Sequence, residues 1–175
     1  MQTTANLWEV LCRDLESEKQ SAKAEEYQEI ARKFLATARQ VFPADSARLG
    51  DAIEIAGDVC QAAGQDPEAL ANFEEAVQVA SPISAARLTA KMAMLHERLG
   101  DATAARSYYE KALALYDQVR DPSQRVVLLN QLGALCKREG DLAAAATHYR
   151  DALATATRRF GDMDPGTAIA ANNLG

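Results

Sequence analysis

Three stretches of this chain repeat one another: GQDPEALANFEEAV from Gly64, GDATAARSYYEKAL from Gly100 and GDLAAAATHYRDAL from Gly140. Five residues after each glycine stands an alanine (Ala69, Ala105, Ala145). Four later comes an aromatic residue (Phe73, Tyr109, Tyr149), and three later a second alanine (Ala76, Ala112, Ala152). Seven residues before each glycine lies another small residue, Gly57, Ala93 or Gly133. The spacing is 36 and then 40 residues throughout. Such self-similarity restricts the fold more than any other feature of the chain. A unit this short cannot bury an apolar face alone, so it must stack on copies of itself.

The residue types say what each unit is. Small side chains let two helix backbones approach closely, and the aromatic ring fills the space beside them. The glycine ends the first helix of a pair in a left-handed cap. Asp101 and Asp141, which follow, cap the second helix, and Asp66-Pro67 is expected to do so in the first clear repeat. Asp164-Pro165 and Ser81-Pro82 read in the same way as starts of first helices. Alanine and leucine dominate, and such straight-chain and small residues lose least on entering a helix. Runs rich in Val, Ile and Thr are absent.

The expectation is an all-α fold, a right-handed superhelical solenoid of antiparallel helix pairs. Its helices are expected over residues 4–20, 22–42, 45–63, 66–80, 82–99, 101–119, 122–139, 141–160 and 165–175. Residues 1–175 read as one solenoid: a divergent first pair over 1–49, clear repeats over 50–85, 86–125 and 126–164, and the start of a further repeat or capping helix over 165–175. In the divergent part, Trp8, Leu11 and Leu15 share one helical face. Leu174-Gly175 repeats Leu132-Gly133 at a distance of 42 residues.

Charge narrows the function. The net charge is −6, which argues against a general nucleic-acid binder with its basic stripe. Residues 1–85 hold 7 basic and 15 acidic side chains, whereas 86–159 hold 12 basic and 8 acidic. Such a dipolar surface can orient a partner. Cys12, Cys60 and Cys136 are odd in number and widely spaced, so neither a disulfide framework nor a metal-binding pair is expected. The N-terminus lacks the apolar core of a signal peptide, and no apolar run approaches the roughly 18 residues that a membrane span needs. A cytoplasmic location follows as the expectation.

Nothing points to catalysis, to a cofactor or to a metal. His96 falls in the same repeat position as Cys60 and Cys136, which reads as a packing position. Side chains one repeat apart cannot share a zinc ion at about 2.0–2.3 Å. The stretch DMDPG lacks the ligand series and closing glutamate of a calcium loop, and helix capping explains it. Phosphate-binding glycine loops and nucleophile elbows are absent.

The pattern of Gly or Ala, Tyr, Ala, Phe or Tyr, and Ala resembles the tetratricopeptide repeat over about residues 50–175. Within it, LNQLGALCKREGD, ANNLG and the spacing of 40 to 42 residues resemble the kinesin light chain subclass. GDMDPGTA stands where that subclass has a G-x-x-H-P turn, with Asp164 in place of histidine. The resemblance implies a protein that binds other proteins with the concave side of its first helices. It implies that Asn130, Gln131, Asn172 and Asn173 hydrogen-bond a bound segment. Arg87, Lys91, Met94, Glu97, Arg98, Lys137 and Arg138 take concave positions too, a mainly basic set that suits an acidic partner. Asp51, Glu54 and Asp58 fall on that side in the preceding repeat. Bacterial members of the subclass accompany bacterial tubulin, so the implied partner is a bacterial tubulin-type filament. Two other readings stay open: a regulatory module of a larger signalling protein, and a scaffold that self-associates through its terminal helix.

Overall fold

The computed structural model describes residues 4–23 and 26–174. Among these residues the chain forms nine helices and no strand. They are α1 (Thr4–Ser21), α2 (Tyr27–Val41), α3 (Ala47–Ala62), α4 (Asp66–Val77), α5 (Pro82–Arg98), α6 (Ala102–Val119), α7 (Pro122–Arg138), α8 (Leu142–Phe160) and α9 (Pro165–Leu174). The expected all-α architecture is present, with most ends within two residues. The clearest difference is at α2. A turn closed by Glu26, whose carboxylate accepts from the Lys23 amide at 3.0 Å, delays that helix from residue 22 to Tyr27. Residues 24 and 25 of the expected span lie outside the described residues, as does Gly175 of the expected last helix.

Helix ends follow from backbone chemistry. Gly64, Gly100 and Gly140 take φ of 74°, 81° and 82°. Each lets the following amide reach back to a carbonyl five residues earlier: Gln65 to Cys60, Asp101 to His96 and Asp141 to Cys136, all at 2.9 Å. This is the Schellman arrangement, which satisfies carbonyls that a helix end otherwise leaves bare. Asp101 and Asp141 then accept from the amides of Ala104 and Ala144 at 2.9 and 3.0 Å. First helices open on Ser81, Asp121 and Asp164, which accept from Ser84, Gln124 and Gly166 at 3.3, 3.2 and 2.8 Å. One expectation is corrected. Gln65, not Asp66, occupies the cap position of α4; it makes no capping bond, and Asp66 is already the first helical residue, with Pro67 behind it.

The chain divides into two compact units, residues 1–88 and 89–175. In the first, α1 packs on α2, α2 on α3 and α3 on α4. Leu11, Leu15, Ile30, Phe34, Leu35 and Ala38 are buried there. Trp8 meets Phe42 edge-on at 5.8 Å, and the Arg48 guanidinium lies 5.0 Å from its ring centre. Arg39 on α2 forks onto Glu75 on α4 at 2.7 Å to both oxygens. In the second unit, α6 packs on α7, α7 on α8, and α9 on both α7 and α8. Val126, Leu129, Ala152, Ala156 and Ala170 form a buried cluster that ties α7, α8 and α9 together.

The repeat alanines and aromatics lie inside. Ala69, Ala105 and Ala145 are buried, as are Phe73, Tyr109 and Tyr149. Bringing three small residues to each helix crossing is what lets the large rings enter without holding the helices apart.

Candidate partner-binding cleft

The second unit holds an open cleft of about 280 Å³ lined by Met94, Glu97 and Arg98 from α5, Tyr109 from α6, and Gln131 and Arg138 from α7. Its floor is fixed by sequence. Tyr109 is fully buried because it is the repeat's aromatic. Its hydroxyl, beneath the cleft, donates to Glu97 Oε2 at 2.8 Å. Burial, and then the bond to Glu97, push the Tyr109 phenol far above its ordinary range. The other Glu97 oxygen, Oε1, accepts from Arg138. Glu97 thus ties one buried ring and one exposed arginine with separate oxygens.

Four of the expected site residues, Met94, Arg98, Gln131 and Arg138, come together in this cleft. Met94 is half exposed, and its flexible thioether can fit varied apolar shapes. Lys137 is exposed beside Arg138 in the chain and makes no ion pair among the described residues, whereas Lys91 is half-buried on α5. Asn130 and Asn173 meet each other: the Asn173 amide donates to Asn130 Oδ1 at 3.1 Å, linking α7 to α9. Asn172 is exposed. Arg87 belongs to the first unit, where it forks onto Glu54, one arm at 2.9 Å. Glu54 is buried, so the acidic and basic ends of the expected gradient neutralise each other at this point. Glu97's pairing with Tyr109 was not legible in the sequence. The only trace is a spacing of 12 residues, the same that brings Asn72 within 3.9 Å of the Cys60 sulfur.

His96 is not fully enclosed. Its ring stacks on Tyr108 at 5.0 Å, with Asp101 3.9 Å from Nδ1. Cys60 and Cys136, in the equivalent positions, are buried, and burial raises both thiols. Among the described residues no three His, Cys, Asp or Glu side chains converge as metal ligands, and no helix is long and apolar enough to cross a membrane.

The tetratricopeptide repeat family model matches residues 53–118 and 83–158, which together span more than half of the chain. The chain belongs to the tetratricopeptide repeat family. As a repeat protein of this kind it is suited to protein–protein interaction. Solved structures share its fold. One is a Podosopora anserina protein described as a kinesin light chain with nearly identical tetratricopeptide-like repeats: 15% identity, 99% of this chain and 86% of that one, TM-score 0.77. Another is BtubC (BKLC) from P. vanneervenii: 19% identity, 98% and 71% coverage, TM-score 0.75. A third is MamA, at 16% identity, 87% and 80% coverage and TM-score 0.65. The kinesin light chain-like character expected from LNQLG and ANNLG is matched by these first two relatives in fold. No curated protein matches the chain in sequence.

Proposed function

We propose that this repeat protein is a non-catalytic cytoplasmic adaptor that holds a partner protein in the cleft between α5 and α7. The partner we favour is a bacterial tubulin-type filament. The carrying observation is the make-up of the cleft, which brings a half-exposed methionine, a glutamine amide and two arginines together around Glu97 and Tyr109. Apolar contact, hydrogen bonding and positive charge together suit an acidic protein surface. The fold shared with BtubC supports the choice of filament.

Co-sedimentation with bacterial tubulin polymer tests this. Wild-type protein pellets with polymer, less as salt rises. The double variant Arg98→Glu, Arg138→Glu stays in the supernatant while its circular dichroism is unchanged. A folded double variant that pellets as well as wild type rejects the cleft.

A second reading, self-association, has its own observation. Phe160, Met163 and Ile169 are exposed apolar residues around the α8–α9 turn, with Met163 97% exposed. Light scattering over a hundredfold concentration range decides it, since an unchanging monomer mass removes this reading.

A further inference from the structure

The cleft already contains a carboxylate. Glu97 already pairs with Arg138 from within the same chain, through one of its carboxylate oxygens. The two bonds of Glu97 differ in kind. Its bond to Tyr109 joins it to a fully buried ring on α6. Its bond to Arg138 joins it to a side chain 54% exposed, against 26% for Glu97 itself. The second is a solvated ion pair of the weak sort. Because the two bonds use different oxygens, Arg138 can leave Glu97 without disturbing the bond to Tyr109.

We infer that Glu97 is a built-in competitor for an acidic partner, holding Arg138 in place until a carboxylate from the partner displaces it. The inference rests on the proposed use of this cleft and names the chemistry of what enters it: a segment with a carboxylate beside a large apolar side chain. The carboxylate pairs with Arg138 in the forked geometry a guanidinium favours. The apolar group lies on Met94, whose flexible thioether adapts to varied shapes. A segment whose acid does not reach the arginine finds Arg138 already neutralised by Glu97 and gains nothing from its charge. The pair therefore lowers affinity for every acidic segment and leaves a net gain only to one whose carboxylate reaches Arg138 itself.

The test uses the full chain and three labelled eight-residue peptides of alternating Glu and Leu, Gln and Leu, or Lys and Leu, read by fluorescence anisotropy at low salt. Two variants make the same change in net charge. Glu97→Gln keeps an oxygen for the Tyr109 hydroxyl but releases Arg138. Glu110→Gln alters an exposed residue of α6 outside the cleft. Wild type is expected to bind the Glu–Leu peptide in preference to the other two. Glu97→Gln is expected to bind it about three- to fivefold tighter than Glu110→Gln does, the order expected when an exposed ion pair need no longer be broken. Equal affinities of the two variants overturn the competitor and leave the cleft reading intact. Failure of both wild type and Glu97→Gln to prefer the Glu–Leu peptide overturns the acidic partner chemistry. The filament assay with Arg98→Glu, Arg138→Glu then judges the cleft independently.

Discussion

Gly57 lies directly beneath the ring of Phe73: a methyl group on its Cα would come within 2.5 Å of Phe73 Cε1. Gly133 has the same relation to Tyr149, at 2.5 Å from Cε1. These are approaches that carbon atoms do not make, so the repeat's aromatic is seated where it is because the facing helix has no side chain there. In the intervening repeat Ala93 holds this position and Tyr109 is still fully buried. The helix pair therefore adjusts to one methyl when its ring is placed to match.

Gly57→Ala sets two effects against each other. A helix interior gains about 1 kcal/mol from alanine over glycine. Displacing a packed ring costs about 1–3 kcal/mol. Phe73 is fully buried, so the expected net effect is a loss of up to about 2 kcal/mol. Urea unfolding followed through Trp8, the only tryptophan and a member of the same unit, measures it. Ala105→Leu and Ala145→Leu overpack the same frame, and their thermal melts should shift down by a comparable amount.

Gln65 offers the opposite change. It occupies the cap position that Asp101 and Asp141 hold in the later repeats, makes no capping bond, and leaves its Oε1 buried without a partner. Gln65→Asp places a short acceptor within reach of the Glu68 amide. It should stabilise the protein by about 1 kcal/mol, somewhat less if Asp66 and Glu68 repel the new charge. Asp141→Ala should lose a similar amount. A higher melting temperature for the first variant and a lower one for the second are the expected results.

Arg120 ends α6 with φ 57° and ψ 44°, the one left-handed residue other than glycine among the described residues. It does the work of Gly64 and its counterparts, since the next amide, of Asp121, reaches back to Tyr116 at 3.1 Å. The conformation costs a residue with a Cβ about 1–2 kcal/mol. Arg120→Gly should recover about 1 kcal/mol, part of the gain being returned to the greater freedom of glycine in the unfolded chain. Unchanged stability would mean that Arg120 is held by contacts that offset its strain.

Alkaline pH should loosen the second unit. Tyr109 has its proton held by burial and by Glu97 well above its ordinary value of 10.0. The unfolded chain releases that proton first. The contribution of Tyr109 is therefore whole below about pH 10 and is lost as pH rises toward the folded-state value. Cys136 acts in the same direction from 9.0, because burial raises its thiol. Melting temperature should fall from pH 9 to 11. Tyr109→Phe should flatten that fall, at the expense of about 1–2 kcal/mol at neutral pH from the lost bond to a carboxylate.

The backbone frame was legible because its residue types have few substitutes. Only glycine enters the left-handed cap at no steric penalty, so Gly64, Gly100 and Gly140 marked helix ends. Ser81-Pro82 and Asp164-Pro165 marked helix starts for equally local reasons. Residue 66 reads as a cap because aspartate is the better capping residue, whereas the register one residue after glycine decides the matter and places Gln65 there. What could not be read was the pairing of charged side chains. Arg87 and Arg138 look alike in sequence, yet one forks onto buried Glu54 and the other meets Glu97 at the solvent edge. Which acid each finds depends on how neighbouring helices cross. Asn130 and Asn173 likewise had no visible reason to choose each other.

The four methionines offer the most direct test of where a partner sits. Met92 is buried, Met94 is half exposed in the cleft, and Met163 is almost wholly exposed at the α8–α9 turn. Methyl NMR of methionine-labelled protein, titrated with unpolymerised bacterial tubulin, should shift or broaden the Met94 signal first, leaving Met163 sharp. A response at Met163 with Met94 unmoved would place the partner elsewhere and contradict the cleft.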